Sequence, residues 1–130
     1  MAKRGSILLA DTDRNVLYTF KMILEEAGFR VQAVSTFIAA RGAIAQSGFD
    51  AVVTELSLER EGQGLNLARE AKELTPSPIV VLWTDHPTME NLRAAWHLQV
   101  DYVAFKPVDL EEIQAALKRL IARRGEFVLC

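Results

Sequence analysis

The sequence predicts an α/β fold in which a doubly wound, five-stranded parallel sheet is covered by five helices. Five short apolar segments of strand length alternate along the chain with segments whose apolar residues recur at helical spacing. Three of the strand segments are almost continuously apolar, which is typical of parallel strands covered on both faces. Because strands that alternate with helices form right-handed crossovers, we expect all five strands to run in one direction.

The first two strands are predicted by different apolar patterns. Residues 7–10 are continuously apolar and stop at acidic and hydroxyl side chains, which indicates a short buried strand. Over residues 14–27 apolar side chains recur at helical spacing, and Gly28 stands where a helix is commonly capped. Residues 29–34 alternate between apolar and polar side chains, which is typical of an edge or half-exposed strand.

The third strand is the one around which the chain is organised. A second helix, capped by Ser35 or Thr36 and reaching about residue 47, leads into it. Residues 49–55 are mostly apolar and rich in β-branched side chains, as buried parallel strands are. This strand ends at Glu55 and therefore delivers a carboxylate to the carboxyl edge of the sheet, where ligands of such folds bind.

The second half of the chain continues the alternation of helices and strands. Its first strand is again almost continuously apolar, and prolines and an acidic run mark the ends of its helices. In order, the predicted elements are a helix over residues 64–74, a strand over 79–84, a helix from residue 87 with Met89, Leu92 and Trp96 on one face, a strand over 101–105 and a helix over 109–124.

The composition is that of one globular domain, which we assign to residues 1–124, followed by a C-terminal tail over 125–130. Of the 130 residues, 50% are hydrophobic and 25% are charged. A net charge of −2 gives no electrostatic reason to expect nucleic acid as a partner. The single cysteine, Cys130, excludes an internal disulfide. No apolar run approaches the about 20 residues of a membrane span, so we expect a cytoplasmic protein without membrane contact.

Four of the predicted strands end in polar side chains, and these define a candidate pocket. Because the carboxyl ends of parallel strands lie on one edge of a sheet, residues that are far apart in sequence converge there. One acidic strand end has little meaning by itself, whereas convergence from four strands indicates a site. The residues concerned are Asp11 and Thr12 after the first strand, Glu55 on the third, Thr84 on the fourth and Lys106 after the fifth.

In these residues the chain resembles the receiver domain of bacterial response regulators, over about residues 6–122. Asp11 matches the first of the family's two acidic residues, Thr84 its hydroxyl residue, and Lys106 with Pro107 its lysine and proline. The resemblance implies a CheY-like, flavodoxin-type strand order 2-1-3-4-5 and a cis bond before Pro107. It also implies a phosphoryl acceptor at the position of Glu55, a bound Mg²⁺, and a histidine kinase, an output domain or another signalling protein as partner.

Two departures from the family pattern change the expected chemistry. Thr12 stands where the family has its second acidic residue, and Glu55 stands where it has the acceptor aspartate. Asp11 and Glu55 remain as the candidate Mg²⁺ ligands, and Mg²⁺ tolerates poor geometry badly. We therefore expect no bound cofactor, no phosphorylation at Glu55 and no enzymatic activity. The longer Glu55 side chain is expected to reach Lys106 or Thr84 and to hold the pocket in one state.

Three functions compete for this sequence. The first is a signalling receiver that acts through protein interaction without phosphorylation, and the second is a phosphorelay receiver with unusual acceptor chemistry. The third is a domain on the same scaffold with another role, which is either a structural or interaction domain with a relic ion-pair cluster, or an enzyme or nucleotide binder. A nucleotide site is disfavoured because neither glycine-rich phosphate-binding motif occurs in the sequence.

The resemblance also implies an interaction face formed by the fourth helix, the fifth strand and the fifth helix. Trp96 lies on that helix, and Tyr102 lies nearby if it points outward. Tryptophan and tyrosine are enriched at energetically dominant interface positions, so both are candidate contact residues, including for a homodimer. The alternative for Trp96 is packing in the core with Met89 and Leu92.

Overall fold

The computed structural model describes residues 5–46, 48–106 and 109–129, with side chains described as far as Arg123. Strands and helices alternate throughout these residues, as the apolar pattern predicts. The elements are β1 (Ser6–Ala10), α1 (Arg14–Glu26), β2 (Arg30–Val34), α2 (Phe37–Gln46), β3 (Ala51–Glu55), α3 (Gln63–Lys72), β4 (Ile79–Thr84), α4 (Met89–His97), β5 (Tyr102–Phe105) and α5 (Leu110–Leu129).

The five strands form one parallel sheet in the order β2-β1-β3-β4-β5. This confirms the predicted fold class, including the strand order that the resemblance implies. The order reverses between β1 and β3, so the loops that follow these two strands leave in opposite directions and open a crevice between them. β3 lies in the middle of the sheet and β2 at one edge, which explains why β3 is buried and β2 is largely half-exposed.

Side-chain caps explain where several helices begin. The Asp13 carboxylate accepts hydrogen bonds from the backbone N–H groups of the first turn of α1. Thr36, rather than Ser35, caps α2, because its hydroxyl oxygen accepts from the Ala39 N–H at 3.1 Å. After α1, Gly28 adopts a φ of 100°, the left-handed conformation that its position predicted.

The core is divided by the sheet into two clusters, one on each face. In β1, Leu8 packs with α2, α3 and α4, whereas Ile7 and Leu9 pack with α1 and α5. This division follows from the alternation of side chains along a strand. The apolar side chains of β3 and β4 alternate in the same way, so the strands next to the pocket are fixed from both sides.

The last helix is longer than the sequence predicts. α5 continues to Leu129, so residues 125–129 extend the helix, whereas the sequence analysis set 125–130 apart as a tail. Gly125 does not end the helix, because a single glycine weakens a helix by only about 1 kcal/mol and removes no backbone hydrogen bond. Pro107 lies outside the described residues, and with it the cis bond that the resemblance implies.

Candidate functional site

Three of the strand ends meet at the carboxyl edge of the sheet and form an ion cluster around Lys106. The Lys106 Nζ lies 3.0 Å from Asp11 Oδ2 and 3.4 Å from Glu55 Oε1. Asp11 is fully buried, and Glu55 and Lys106 are largely covered. We call Asp11, Thr12, Glu55 and Lys106 the Glu55 cluster. The strand directions thus bring together four of the five residues predicted for the pocket.

Thr12 turns toward Glu55 and binds it twice. Glu55 Oε2 accepts a hydrogen bond from the Thr12 backbone N–H at 3.2 Å and from the Thr12 hydroxyl at 3.1 Å. The sequence predicted contacts from Glu55 to Lys106 or Thr84, and it missed Thr12 as the second partner. Threonine in place of an acidic residue at position 12 could have indicated this contact. The replacement removes a carboxylate that would repel Glu55 and adds a hydrogen-bond donor.

Every carboxylate oxygen of the Glu55 cluster accepts a hydrogen bond. In Asp11, Oδ2 accepts from Lys106, while Oδ1 accepts from the Asp13 backbone N–H at 2.8 Å. In Glu55, Oε1 accepts from Lys106 and Oε2 from Thr12. Carboxylates away from water need such hydrogen bonds, because an unpaired buried charge destabilises the folded protein.

Thr84 takes no part in this hydrogen-bond network. It is buried at the end of β4, and its hydroxyl oxygen accepts from the backbone N–H of His86 at 3.0 Å. This contact within the loop stabilises the turn after β4. Thr84 therefore borders the pocket, as predicted, but it does not bind Glu55.

Trp83 forms an aromatic wall below the Glu55 cluster. Its side chain is fully buried, packs against Phe20 at a ring-centroid distance of 5.2 Å, and lies 5.1 Å from the Lys106 Nζ. An ammonium at this distance from an indole ring is attracted to it. The adjacency of Trp83 to the pocket could be predicted from its place next to Thr84, whereas its contact with Lys106 could not.

Burial raises the pKa of Glu55, and the neighbouring charge of Asp11 acts in the same direction. The hydrogen bonds from Thr12 and the attraction of Lys106 lower that pKa without outweighing burial. For Lys106, burial lowers the pKa, but the hydrogen bond and charge of Asp11 together with Glu55 raise it overall. Both pKa shifts are consistent with one ammonium group, that of Lys106, interacting with the carboxylates of Asp11 and Glu55. Burial, with a contribution from the charge of Asp11, thus raises the pKa of Glu55, and the two carboxylates raise the pKa of Lys106.

The donor set of the Glu55 cluster fits an ammonium group and does not fit Mg²⁺. Mg²⁺ needs near-ideal octahedral coordination by oxygen atoms. The two candidate ligands, Asp11 and Glu55, both direct an oxygen at the Lys106 Nζ and give the other to N–H or O–H donors. Within residues 5–46, 48–106 and 109–123, no three His, Cys, Asp or Glu side chains are grouped so that they could hold a metal ion.

The loop after β3 is fixed to its surroundings on two sides. The Glu59 carboxylate accepts a hydrogen bond from the Phe37 N–H at 2.8 Å and so caps α2. At the start of α3, Gly64 donates from its N–H to the Leu56 carbonyl, and the Glu55 carbonyl oxygen fills the space that a Cβ at Gly64 would need. Glu55 is therefore held by a loop with little freedom to shift.

Comparison with known proteins decides the family. A family model described as the response regulator receiver domain matches residues 7–118. The chain belongs to this family. It is a receiver domain of the kind that occurs in two-component signalling.

Individual relatives agree with this assignment. The receiver is 31% identical over 124 residues to the alginate biosynthesis transcriptional regulatory protein AlgB of Pseudomonas aeruginosa, covering 94% of this chain and 27% of AlgB. It is 30% identical to a response regulator receiver protein from Sinorhizobium medicae, with a TM-score of 0.79 and coverage of 92% and 95%. A CheY-like receiver from Methanospirillum hungatei, 24% identical, shares the fold with a TM-score of 0.87 over 97% and 98% of the chains.

The receiver spans about a quarter of the length of AlgB and of the regulator NtrC from Bradyrhizobium, 27% and 26% respectively. Among the residues that the structure describes, none of the helices has the length and apolar character that a membrane crossing requires.

The predicted interaction face contains large exposed apolar side chains, although they differ in part from the predicted ones. On α4, Trp96 is 81% exposed and Met89 72% exposed, so packing of Trp96 in the core is wrong, and Ala95 fills that role instead. Tyr102 is half-buried against the core cluster of α1 and α5. Phe105, which is 50% exposed, replaces it on the α4 side, because alternate residues of a strand face opposite sides of the sheet.

Proposed function

We propose that this receiver signals by binding other proteins without being phosphorylated at Glu55, because the Glu55 cluster holds its pocket in one state. The observation that carries this proposal is the engagement of both Glu55 oxygens, one by Thr12 and the other by Lys106. Its output is then an interaction and not a catalysed reaction. The partner would be a histidine kinase, an output domain or another signalling protein.

Support comes first from the position of the carboxylate. Phosphoryl transfer depends on an acceptor oxygen that lies in line with the leaving group and on cations that offset the developing charge. The extra methylene of Glu55 relative to aspartate moves the acceptor oxygen by roughly 1 Å, and a displacement of that size can cost about a hundredfold in rate. A donor would also have to displace Thr12 or Lys106 from the oxygen that it approaches.

Support comes second from the charge balance of the Glu55 cluster. Asp11, Glu55 and Lys106 together carry one negative charge, whereas a second acid at position 12 would add another. With threonine there, the hydroxyl stabilises the carboxylate that an acid would repel. A cluster with one net negative charge, in which every carboxylate oxygen accepts a hydrogen bond, has less need of a metal ion than a cluster with two, so the pocket is proposed to work without Mg²⁺.

The phosphorylation state of the protein tests this proposal directly. Incubation with acetyl phosphate and Mg²⁺, followed at once by intact-mass measurement at neutral pH, should leave the protein without a phosphoryl adduct. The acceptor geometry and the occupied oxygens are the physical reason. A phosphoryl group found on Glu55 would instead favour the phosphorelay receiver with unusual acceptor chemistry.

The exposed surface of α4 and β5 is the proposed site of partner binding. Trp96, Met89 and Phe105 expose apolar area on one side of the sheet edge, where charged residues are the ordinary occupants. Tryptophan at such a position commonly dominates binding energy. We propose that a second copy of the chain or a signalling partner covers these three side chains.

Replacing Trp96 by alanine should weaken association without affecting folding. Because the side chain is 81% exposed, its loss should change the free energy of unfolding by less than about 0.5 kcal/mol. With a second copy of the chain as the proposed occupant, the dissociation constant of the homodimer, measured by sedimentation equilibrium, should rise by about tenfold or more.

Ile38→Ala is the matched control, because Ile38 is equally exposed at 81% but lies on α2. It should leave the dissociation constant unchanged. If both variants behave alike, or if Trp96→Ala lowers stability as a core substitution does, the proposed surface is wrong.

A further inference from the structure

A cavity of about 270 Å³ opens between α1 and the edge strand β2, on a part of the molecule that the Glu55 cluster does not use. Its walls come from the first two turns of α1 and from the end of β2 with the residue after it. The lining residues are Arg14, Leu17, Tyr18, Lys21, Ala33 and Ser35.

The cavity exists because small side chains face α1 at this end of β2. Val31 and Ala33 both point to the α1 side of the sheet, where they pack against the core cluster. Ala33 is the smaller of the two, and Ser35 follows with a side chain only one atom longer. The gap that they leave has the buried Leu17 on one side and the exposed Tyr18 at its rim.

The charges around the cavity are of one sign. Arg14 and Lys21 line it, and no acidic residue does. Among the ion pairs formed by the described residues, none includes Arg14 or Lys21. The nearest acid in sequence, Asp13, directs its carboxylate at the backbone N–H groups of α1. Two cations that form no ion pair among the described residues therefore border an open space with one apolar wall.

We propose that this cavity binds a small organic anion, in which a carboxylate or phosphate group is carried on an apolar stem. The guanidinium of Arg14 suits such a group because it presents two parallel donors, and the Lys21 ammonium adds a second positive charge. The Ser35 and Tyr18 hydroxyls supply further donors, while Leu17 and Ala33 contact the stem.

The size of the cavity limits the ligand. Sites for drug-sized molecules occupy about 300–1,000 Å³. At about 270 Å³ this cavity suits a ligand with a single substituted ring or a short branched chain. A bound ligand would give the receiver a second site at which it responds to a signal. The proposal does not depend on how the Glu55 cluster works.

Titration of the full chain with benzoate and with phenyl phosphate, followed by amide chemical shifts in NMR, tests the proposal. Benzamide, a neutral compound of the same shape as benzoate, is the ligand control. Saturable shifts that are confined to residues 14–21 and 33–35, and that appear with the two anions but not with benzamide, are expected. No saturable shift at these residues with either anion would overturn the proposal.

Two double variants distinguish a specific binding site from nonspecific attraction of anions to positive charge. Arg14→Gln with Lys21→Gln should weaken benzoate binding by about tenfold or more. The control, Arg30→Gln with Arg93→Gln, removes the same charge from exposed positions outside the cavity and should leave binding unchanged. Equal losses in the two double variants would overturn the proposal.

Filling the cavity gives a test that keeps every charge in place. Ala33→Leu should occupy the space against Leu17 and abolish benzoate binding, and circular dichroism should show an unchanged fold. Undiminished binding in a folded Ala33→Leu protein would contradict a site inside the cavity.

Discussion

Replacing Glu55 and Thr12 together by aspartate should give a protein that binds Mg²⁺ and accepts a phosphoryl group at position 55. The shorter side chain draws the acceptor oxygen back by roughly 1 Å, which by itself can restore about a hundredfold in rate. The new carboxylate at position 12 supplies the oxygen ligand that Mg²⁺ lacks beside Asp11. Intact-mass measurement after incubation with acetyl phosphate, and titration with Mg²⁺ followed by Trp83 fluorescence, check the two gains.

The single substitutions are the matched controls. Thr12→Asp alone replaces the hydroxyl 3.1 Å from Glu55 Oε2 by a second carboxylate, so the unfolding free energy should fall. Glu55→Asp alone withdraws the carboxylate from Thr12 and Lys106 without completing a metal site. Neither single variant should be phosphorylated as the double variant is. If the double variant also stays unmodified, the Glu55 cluster is a rebuilt site and not an altered receiver pocket.

Gly64→Ala should be the most destabilising single substitution near the pocket. A Cβ at this position would overlap the Glu55 carbonyl oxygen and approach the Leu56 carbonyl oxygen at 2.6 Å, and both are backbone atoms that cannot rotate away. Overpacking of this kind should lower the unfolding free energy by about 3 kcal/mol or more. Thermal unfolding should then show a midpoint reduced by roughly 10 °C.

Gly42→Ala provides the opposite result in the same protein. Gly42 lies on the exposed face of α2, where an added Cβ meets no atom within 4 Å. Alanine should therefore stabilise that helix by about 0.5 to 1 kcal/mol. If Gly64→Ala did not lower the unfolding free energy, α3 would be free to move away from Glu55. The close fit of the loop would then not hold Glu55 in place.

The fold and the position of the site were predictable because both follow from chain direction. Apolar runs define the strands, and parallel strands bring Asp11, Glu55 and Lys106 to one edge wherever their side chains then point. The hydrogen-bond partners within the Glu55 cluster were harder to predict from the sequence. Whether Glu55 binds Thr12 or Thr84 depends on side-chain rotamers, and these are set by the surrounding packing, which one sequence does not specify.

Errors on the interaction face have a similar cause. Trp96 was correctly placed on α4, but its exposure depends on which helix residue fills the core, and the small Ala95 does so. Tyr102 and Phe105 are the first and last residues of β5 and face opposite sides of the sheet. An error of one residue in the predicted alternation of the strand exchanges these sides. The path of residues 125–129 could not be predicted, because Gly125 lowers helix propensity without preventing helix formation.

The two tryptophans of the receiver lie in opposite surroundings, which separates two signals in one emission spectrum. Trp83 is fully buried, its indole N–H has no partner among the described residues, and the Lys106 ammonium stands over its ring. Trp96 faces solvent. Emission from Trp83 should then be short in wavelength and protected from dissolved quenchers, whereas that from Trp96 should be long in wavelength and easily quenched. The protein thus contains one optical reporter of its pocket and another of the proposed binding surface.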